Sequence, residues 1–168
     1  SSDLGLFMDK TSYANLARAW EYVENHAYSR QTQALLDARE QAAQCGLAQG
    51  SAAQAQLLHT LACMMRSISV ITIGSGSLVE IVQLVDALHG TGQLTAVDSS
   101  TQGIALIRKM FFALSDTTQT TLRAVNAPVN VFLPRLNGTD YDLIVVSGDA
   151  ANYLDTFAQA PRLLREHG

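Results

Sequence analysis

Ser67-Ile-Ser-Val-Ile-Thr-Ile-Gly74-Ser75-Gly76 decides the reading of this chain. Seven short, β-branched and mostly apolar residues predict a strand over 67–73 that is buried on both faces. Gly74-Ser75-Gly76 then breaks the run. From Ser77 to Leu88 the apolar residues Leu78, Ile81, Val82, Val85 and Leu88 fall at helical spacing. Strand, glycine turn and helix in that order make the first half of a βαβ unit. Glycines at 74 and 76 permit positive φ and close backbone approach, and the helix behind them points free N–H groups at the turn. Such a turn suits a nucleotide-type cofactor. It is also what a tight strand-to-helix connection needs without any ligand.

Outward from this unit the pattern repeats. His89-Gly90-Thr91-Gly92 is a turn, and Gln93 to Val97 a second strand ending at Asp98. Ser99 or Ser100 caps a helix to about Leu114. Thr118 to Val125 reads as a third strand, Pro128 to Leu136 as a short helix or turn, and Tyr141 to Val146 as a fourth strand. Ala151 to Arg165 is a final helix with Pro161 as an expected kink. Before the first strand the chain reads as helices only: Tyr13 to Tyr28, a second ending near Gly46, and a third capped by Ser51. Their apolar positions are Leu16, Ala19, Trp20, Val23 and Ala27 in the first helix and Leu57, Leu58, Leu61, Met64 and Met65 in the third. The organisation is one domain over 1–168, a helical lead-in over 1–67 and a core over 68–168. Strands alternating with helices make an α/β fold of Rossmann-like type, with a mostly parallel sheet and helices on both faces. Ligands in such sheets bind beyond the carboxyl ends of the strands.

Composition narrows the function classes. The chain has 168 residues, 48% hydrophobic and 15% charged, with a net charge of −4. No Lys/Arg run offers a surface for nucleic acid. No apolar stretch is long enough to cross a membrane, and Ser1 to Lys10 lacks a secretory leader pattern. A cytoplasmic protein is expected, with Cys45 and Cys63 reduced and structural. His26, His59, His89 and His167 show no metal spacing; His59 reads as a core-edge residue and His89 as a helix cap. Asp140 and Asp142 read as solvated turn residues, and Trp20 and Tyr22 as packing or dimer-contact residues.

Asp98 stands 22 residues after Gly76, near the spacing at which a carboxylate meets ribose hydroxyls. Val79 occupies a position where a dinucleotide fingerprint wants glycine or alanine, which argues against NAD, and no P-loop lysine is present.

In Val70-Ile-Thr-Ile-Gly-Ser-Gly76, Gly92-Gln-Leu-Thr-Ala-Val-Asp98, Leu133-Pro-Arg-Leu136, Tyr141-Asp-Leu-Ile-Val-Val146, Asp149 with Tyr153, and Leu163-Leu-Arg165, the chain resembles the bacterial class I S-adenosylmethionine (SAM) dependent O-methyltransferases. These are related to catechol and caffeoyl-CoA O-methyltransferases. The resemblance extends to the lead-in at Tyr28-Ser29 and Leu35-Leu-Asp-Ala-Arg-Glu40. It implies a methyltransferase with SAM in the Gly74–Gly76 turn, Asp98 on the ribose, a small catechol-like methyl acceptor, and a homodimer. The cofactor-binding candidates on this basis are Thr72, Gly74, Ser75, Gly76, Glu80, Asp98 and Asp149.

The chain departs from the family at defined places. Thr72 stands for a glutamate, Leu78 for a glycine, and Glu80 for a serine that would bond the methionine end of the cofactor. A carboxylate there repels the cofactor's own unless it is turned away or protonated. Ser147-Gly148-Asp149-Ala150 stands for Asp-Ala-Asp-Lys, so the usual metal-binding aspartate and the lysine are replaced. No metal ligand and no catalytic residue is therefore assigned. The family's further C-terminal strands are also not among these 168 residues. The alternative expectation is a catalytically inactive relative acting as a binding or dimerising protein.

Overall fold

A computed structural model describes the backbone of residues 3–168 and the side chains of residues 12–168. The Ser1–Lys10 stretch, read above for a leader, lies outside the described side chains. Three helices lead: α1 (Asp3–Ser29), α2 (Gln33–Gln44) and α3 (Ala52–Met64). Then follow β1 (Ser69–Ile73), α4 (Leu78–Ala87), β2 (Gln93–Asp98), α5 (Thr101–Ser115), β3 (Thr121–Asn126), α6 (Val129–Phe132), β4 (Leu143–Val146) and α7 (Ala150–Leu163). The four strands form one parallel sheet in the order β3-β2-β1-β4. The chain moves outward from β1 through β2 to β3, then returns to place β4 on the other side of β1. The expected α/β Rossmann-like architecture is present, and its topological switch point lies between β1 and β4.

The two-residue period of the strands divides the core. Ile71, Ile73 and Val97 face α6, the turn after it and α7, packing on Val129, Phe132, Leu133 and Leu163. Val70, Leu94, Ala96 and Val145 face the other way, onto α4 and α5. Every residue of β1 is buried, as its unbroken apolar reading predicts. Helix α4 is nearly as deep, because α2 and α3 cover the side that a surface helix would show to water.

Several expectations shift. β3 begins at Thr121, not Thr118, because Thr118 Oγ1 accepts the Thr120 amide at 3.1 Å and Thr120 Oγ1 donates to the Thr91 carbonyl at 2.9 Å. These hydroxyl bonds make a turn where β propensity alone reads a strand. α7 ends at Leu163, since Leu164 pairs with Tyr141 and the Arg165 amide bonds the Tyr141 carbonyl. Pro161 sits in its last turn and the helix continues through it. On α3 the buried residues are Ala52, Ala55 and Ala62, while Leu57, Leu61 and Met64 are exposed. Small side chains let α3 lie close to α4, so the packed face is the alanine face. Trp20 and Tyr22 are exposed at 65% and 73%, so neither packs inside the chain. Asp142 is not solvated. Its Oδ2 accepts the Ile68 and Ser69 amides at 2.8 and 2.9 Å, and its Oδ1 accepts from Arg165 at 2.8 Å. Burial pushes its pKa up, but these donors outweigh that and hold it below the ordinary carboxylate value.

Candidate functional site

At the carboxyl ends of β1 and β4 the chain leaves a cleft of about 610 Å³. Four segments frame it: Gly46–Gly50 between α2 and α3, Gly74–Ser77 after β1, Asp98–Ser100 after β2, and Val145–Asp149 at the end of β4. Gly74, Ser75, Gly76, Glu80, Asp98 and Asp149 all line it. Thr72 does not. It lies inside β1 opposite Ala96 and Val145, 1% exposed, and its hydroxyl has no hydrogen-bond partner.

Gly74 has φ of +89°, and a Cβ on it would stand 2.5 Å from the Ser147 carbonyl oxygen. The glycine is thus required by the closeness of the β4 end as well as by the turn. Ser147 is fastened to β1: its amide and its hydroxyl both donate to the Ile73 carbonyl, at 2.7 and 2.9 Å, and its Oγ accepts from Ser77 Oγ at 2.8 Å. This hydroxyl bridges two strand ends. It does not suit the metal-ligand position that the resemblance gives it, and the neighbouring Asp149 is a single carboxylate. Among the described residues no three His, Cys, Asp or Glu side chains come together in a metal-binding group.

Asp98 is 8% exposed, and its Oδ1 accepts the Ser100 amide at 2.6 Å. Ser100 in turn caps α5, accepting the Gly103 amide at 3.0 Å. One carboxylate oxygen therefore sets the turn after β2 and the other is left toward the cleft. Asp149 occupies the N-cap position of α7 without a side-chain cap bond and is exposed at the rim. The backbone instead turns through the Asn152 amide, which donates to the Asp149 carbonyl at 3.0 Å.

Glu80 is 2% exposed in the first turn of α4. Its Oε1 lies against the Gly50 backbone, where a Cβ would collide with it, and its Oε2 is buried without a partner. Burial raises its pKa, only partly offset by its own amide and by the charge of Arg39. Arg39, on α2, donates to the Gly50 carbonyl at 2.9 Å and to Gln31 Oε1 at 3.1 Å and makes no ion pair with Glu80.

Gln49 is the residue that the sequence did not single out. Its Oε1 accepts the Leu78 and Val79 amides at 2.8 and 3.3 Å, and its Nε2 donates to the Ser75 carbonyl at 3.1 Å. It caps α4 from a loop 29 residues away. Nothing in the Ala/Gln-rich segment around it marks one glutamine among several, so no local signal could have found it. Among the described residues, the cleft's charged lining residues are three carboxylates, Glu80, Asp98 and Asp149, and no Lys or Arg lines it.

No protein-family model matches the chain. A provisionally named O-methyltransferase of Mycobacterium sp. (strain JLS) is 28% identical over 131 residues, covering 78% of this chain and 59% of the relative. The chain thus spans well under two thirds of that relative's length. Among solved structures, a protein of Corynebacterium glutamicum aligns with a TM-score of 0.79 at 23% identity, over 89% of this chain and 71% of its own. The O-methyltransferase from Bacillus cereus, solved in complex with SAH, aligns with a TM-score of 0.74 at 16% identity, over 88% and 70%. The solved structures share the fold of this chain, and the chain is similar in sequence, over most of its length, to the mycobacterial protein.

Proposed function

We propose that this domain is the cofactor-binding core of an enzyme that transfers a methyl group from SAM to a hydroxyl of a small, catechol-like acceptor. The observation that carries the reading is the cleft at the β1/β4 switch point, lined, among the described residues, by three carboxylates and no basic residue. A nucleoside bearing a sulfonium and an ammonium complements that lining. A pyrophosphate does not, because nothing there neutralises it. Asp98 fits the ribose hydroxyls with its uncommitted oxygen, and the buried, partnerless Glu80 Oε2 fits a donor on the ligand. Thr72, buried inside β1 and outside the cleft lining, is not among the residues proposed to touch the cofactor.

SAM, when bound, supplies an electrophilic methyl group on sulfur. The protein's part is positioning. The Gly74–Gly76 turn lets the backbone close on the ligand, and Asp98 orients the nucleoside. Asp149, the exposed carboxylate at the rim, is a further candidate to contact the cofactor. Ser147, tied to Ile73, leaves no part for a metal held at that position.

The same reading makes the protein a cytoplasmic homodimer. Support for pairing comes from the exposed apolar side chains Leu16, Trp20 and Val23 on α1 and Leu57, Leu61 and Met64 on α3. Among the described residues no helix is long and apolar enough to cross a membrane.

Titration calorimetry with SAM, with the demethylated product SAH and with NAD tests the proposal. SAM and SAH are expected to bind and NAD not to, and Asp98→Asn is expected to weaken both by about tenfold, or about 1.4 kcal/mol. Silence toward SAM at millimolar concentration, or a preference for NAD, would overturn it.

A further inference from the structure

Class I methyltransferase clefts were expected here to receive the amino-acid tail of SAM near the first turn of α4, and that turn is built unusually. Three amides open the helix and ordinarily make a site for an anion. Two of them are occupied from within the chain: Gln49 Oε1 takes those of Leu78 and Val79. Gln49 is itself held in place by its Nε2 bonds to the Ser75 and Ala48 carbonyls at 3.1 and 3.2 Å. Beside these occupied amides lies the opposite chemistry: a carboxyl group, 2% exposed, with one oxygen unpartnered.

We propose that this end of the cleft recognises the ammonium of the ligand's tail through Glu80 and makes no use of its carboxylate, because Gln49 already occupies the amides that would bind it. The inference rests on the adenosyl-sulfonium reading above and specifies which part of the tail is read. Its ligand class is an adenosyl sulfonium carrying an amine, with or without an α-carboxylate.

The surroundings of Glu80 agree with this. From α2, Arg39 is turned onto the Gly50 carbonyl and stacks 5.8 Å from the Tyr28 ring centroid. From α1, Glu24 accepts the Ala52 and Ala53 amides at 2.7 and 2.9 Å, next to Arg39. From α3, Gln54 brings a neutral amide to Gly50. Among the described residues Arg39 is the one cation that acts on Glu80; it forms no bond to it, and its Nη2 is itself buried without a partner. An incoming ammonium would supply the hydrogen-bond donor that Oε2 lacks and add to the charge that Arg39 exerts from a distance. Glu80 and Gly50 line the cleft side by side, with the Gly50 backbone against Oε1. An uncompensated buried carboxylate is costly, so the pair gains most from the ligand's charge.

Equilibrium binding of three adenosyl ligands to the unmodified protein separates the terms. They are SAM, its decarboxylated form, which keeps the amine, and 5′-methylthioadenosine, which has neither amine nor carboxylate. The expected result is that removing the carboxylate changes affinity by less than threefold, whereas removing the whole tail weakens it by more than tenfold. Glu80→Gln should then bring SAM down to within about threefold of methylthioadenosine while leaving methylthioadenosine unchanged. Gln49→Ala should selectively strengthen SAM over its decarboxylated form, because it frees the amides. A loss of tenfold or more on decarboxylation in the unmodified protein overturns the inference and leaves the proposed function standing. So does a Glu80→Gln protein that binds SAM as before. If none of the three ligands binds, the proposed function itself fails and takes the inference with it. The ligand series needs no variant, and melting temperatures of the two variants show whether each is folded.

Discussion

Two helices open onto the same cleft, and they are started in different ways. α5 is capped by its own neighbours: Ser100 accepts the Gly103 amide, and Asp98, two residues before Ser100, accepts the Ser100 amide. α4 has no local cap. Its preceding residue, Ser77, spends its hydroxyl on Ser147, and the helix amides are taken by Gln49, 29 residues earlier in the chain. At the start of α5 the cap is local, although the Asp98 and Ser100 carbonyls also accept from the Asn126 side chain at 3.4 and 3.3 Å. Around α4 the polar atoms answer to α2, α3 and β4, and one of them, Glu80 Oε2, answers to nothing in the chain. The difference teaches where a ligand has room to act. A locally satisfied helix start is already complete, whereas one assembled from remote parts can exchange a partner.

The glycines at the two helix starts should give the largest contrast. Gly74→Ala places a methyl group 2.5 Å from a backbone oxygen at positive φ, so a loss of about 2–4 kcal/mol is expected in urea denaturation. Gly103→Ala meets the Ser100 hydroxyl at 2.6 Å and the Asp98 carboxyl at 2.8 Å, side-chain atoms that can give way at the expense of the cap. About 1 kcal/mol is expected there, the usual worth of an N-cap. Equal losses at the two sites would erase the distinction between remote and local construction.

Removing the caps themselves gives a smaller effect. Ser100→Ala should cost about 1 kcal/mol of stability with no change in the α4 region. Gln49→Ala should cost about as much, since two amides lose their acceptor. The two should differ in hydrogen exchange: Gln49→Ala should speed exchange at Leu78 and Val79, and Ser100→Ala at Gly103. Unchanged exchange at Leu78 and Val79 would mean that Gln49 does not hold the α4 start in solution.

The subtlest test is the pH dependence of stability. Glu80 has its folded pKa raised above 4.5 by burial, so its favourable contribution is complete below about 4.5 and is lost as pH rises through the folded value. Asp142 has the reverse sign. Burial raises its pKa, but the Ile68, Ser69 and Arg165 donors prevail and lower it below 3.8, so its contribution is present above 3.8 and lost as pH falls through the folded value. Glu80→Gln should therefore gain stability relative to the parent as pH rises above 4.5. Asp142→Asn should lose its relative penalty as the solution is acidified below 3.8. A flat Glu80→Gln difference across this range would show that the carboxyl is not desolvated as the structure has it.

Much of the architecture was legible because it is written in short-range terms. Buried β1 announced itself in five consecutive β-branched or small residues, α5 in its Ser100 cap, and the sheet's parallel sense in the alternation of strands and helices. Asp98 was found by spacing, and it does line the cleft. The misses share one cause. Asp142 sits in a turn-like context, yet its partners are at positions 68, 69 and 165. The hydrophobic stripe of α3 looked like its packing face, yet α4 accepts the alanines because they permit closer approach. Ser147 could be read as a lost ligand from its place in the pattern, but not as the bridge between β1 and β4 that it is.

From sequence alone came the α/β class, the strand order of appearance, the glycine turn and the acid that follows β2. The first three depend on propensity, periodicity or capping within about a dozen residues, and the acid on its fixed 22-residue spacing from Gly76 along the chain. Only the tertiary structure decided that Gln49 closes the α4 amides, that Gly50 covers Glu80, and that Gly74 is held open by Ser147. Those facts depend on which segments the parallel crossovers bring together. A hydrogen bond between residues 29 or more apart leaves no mark on the residues between them.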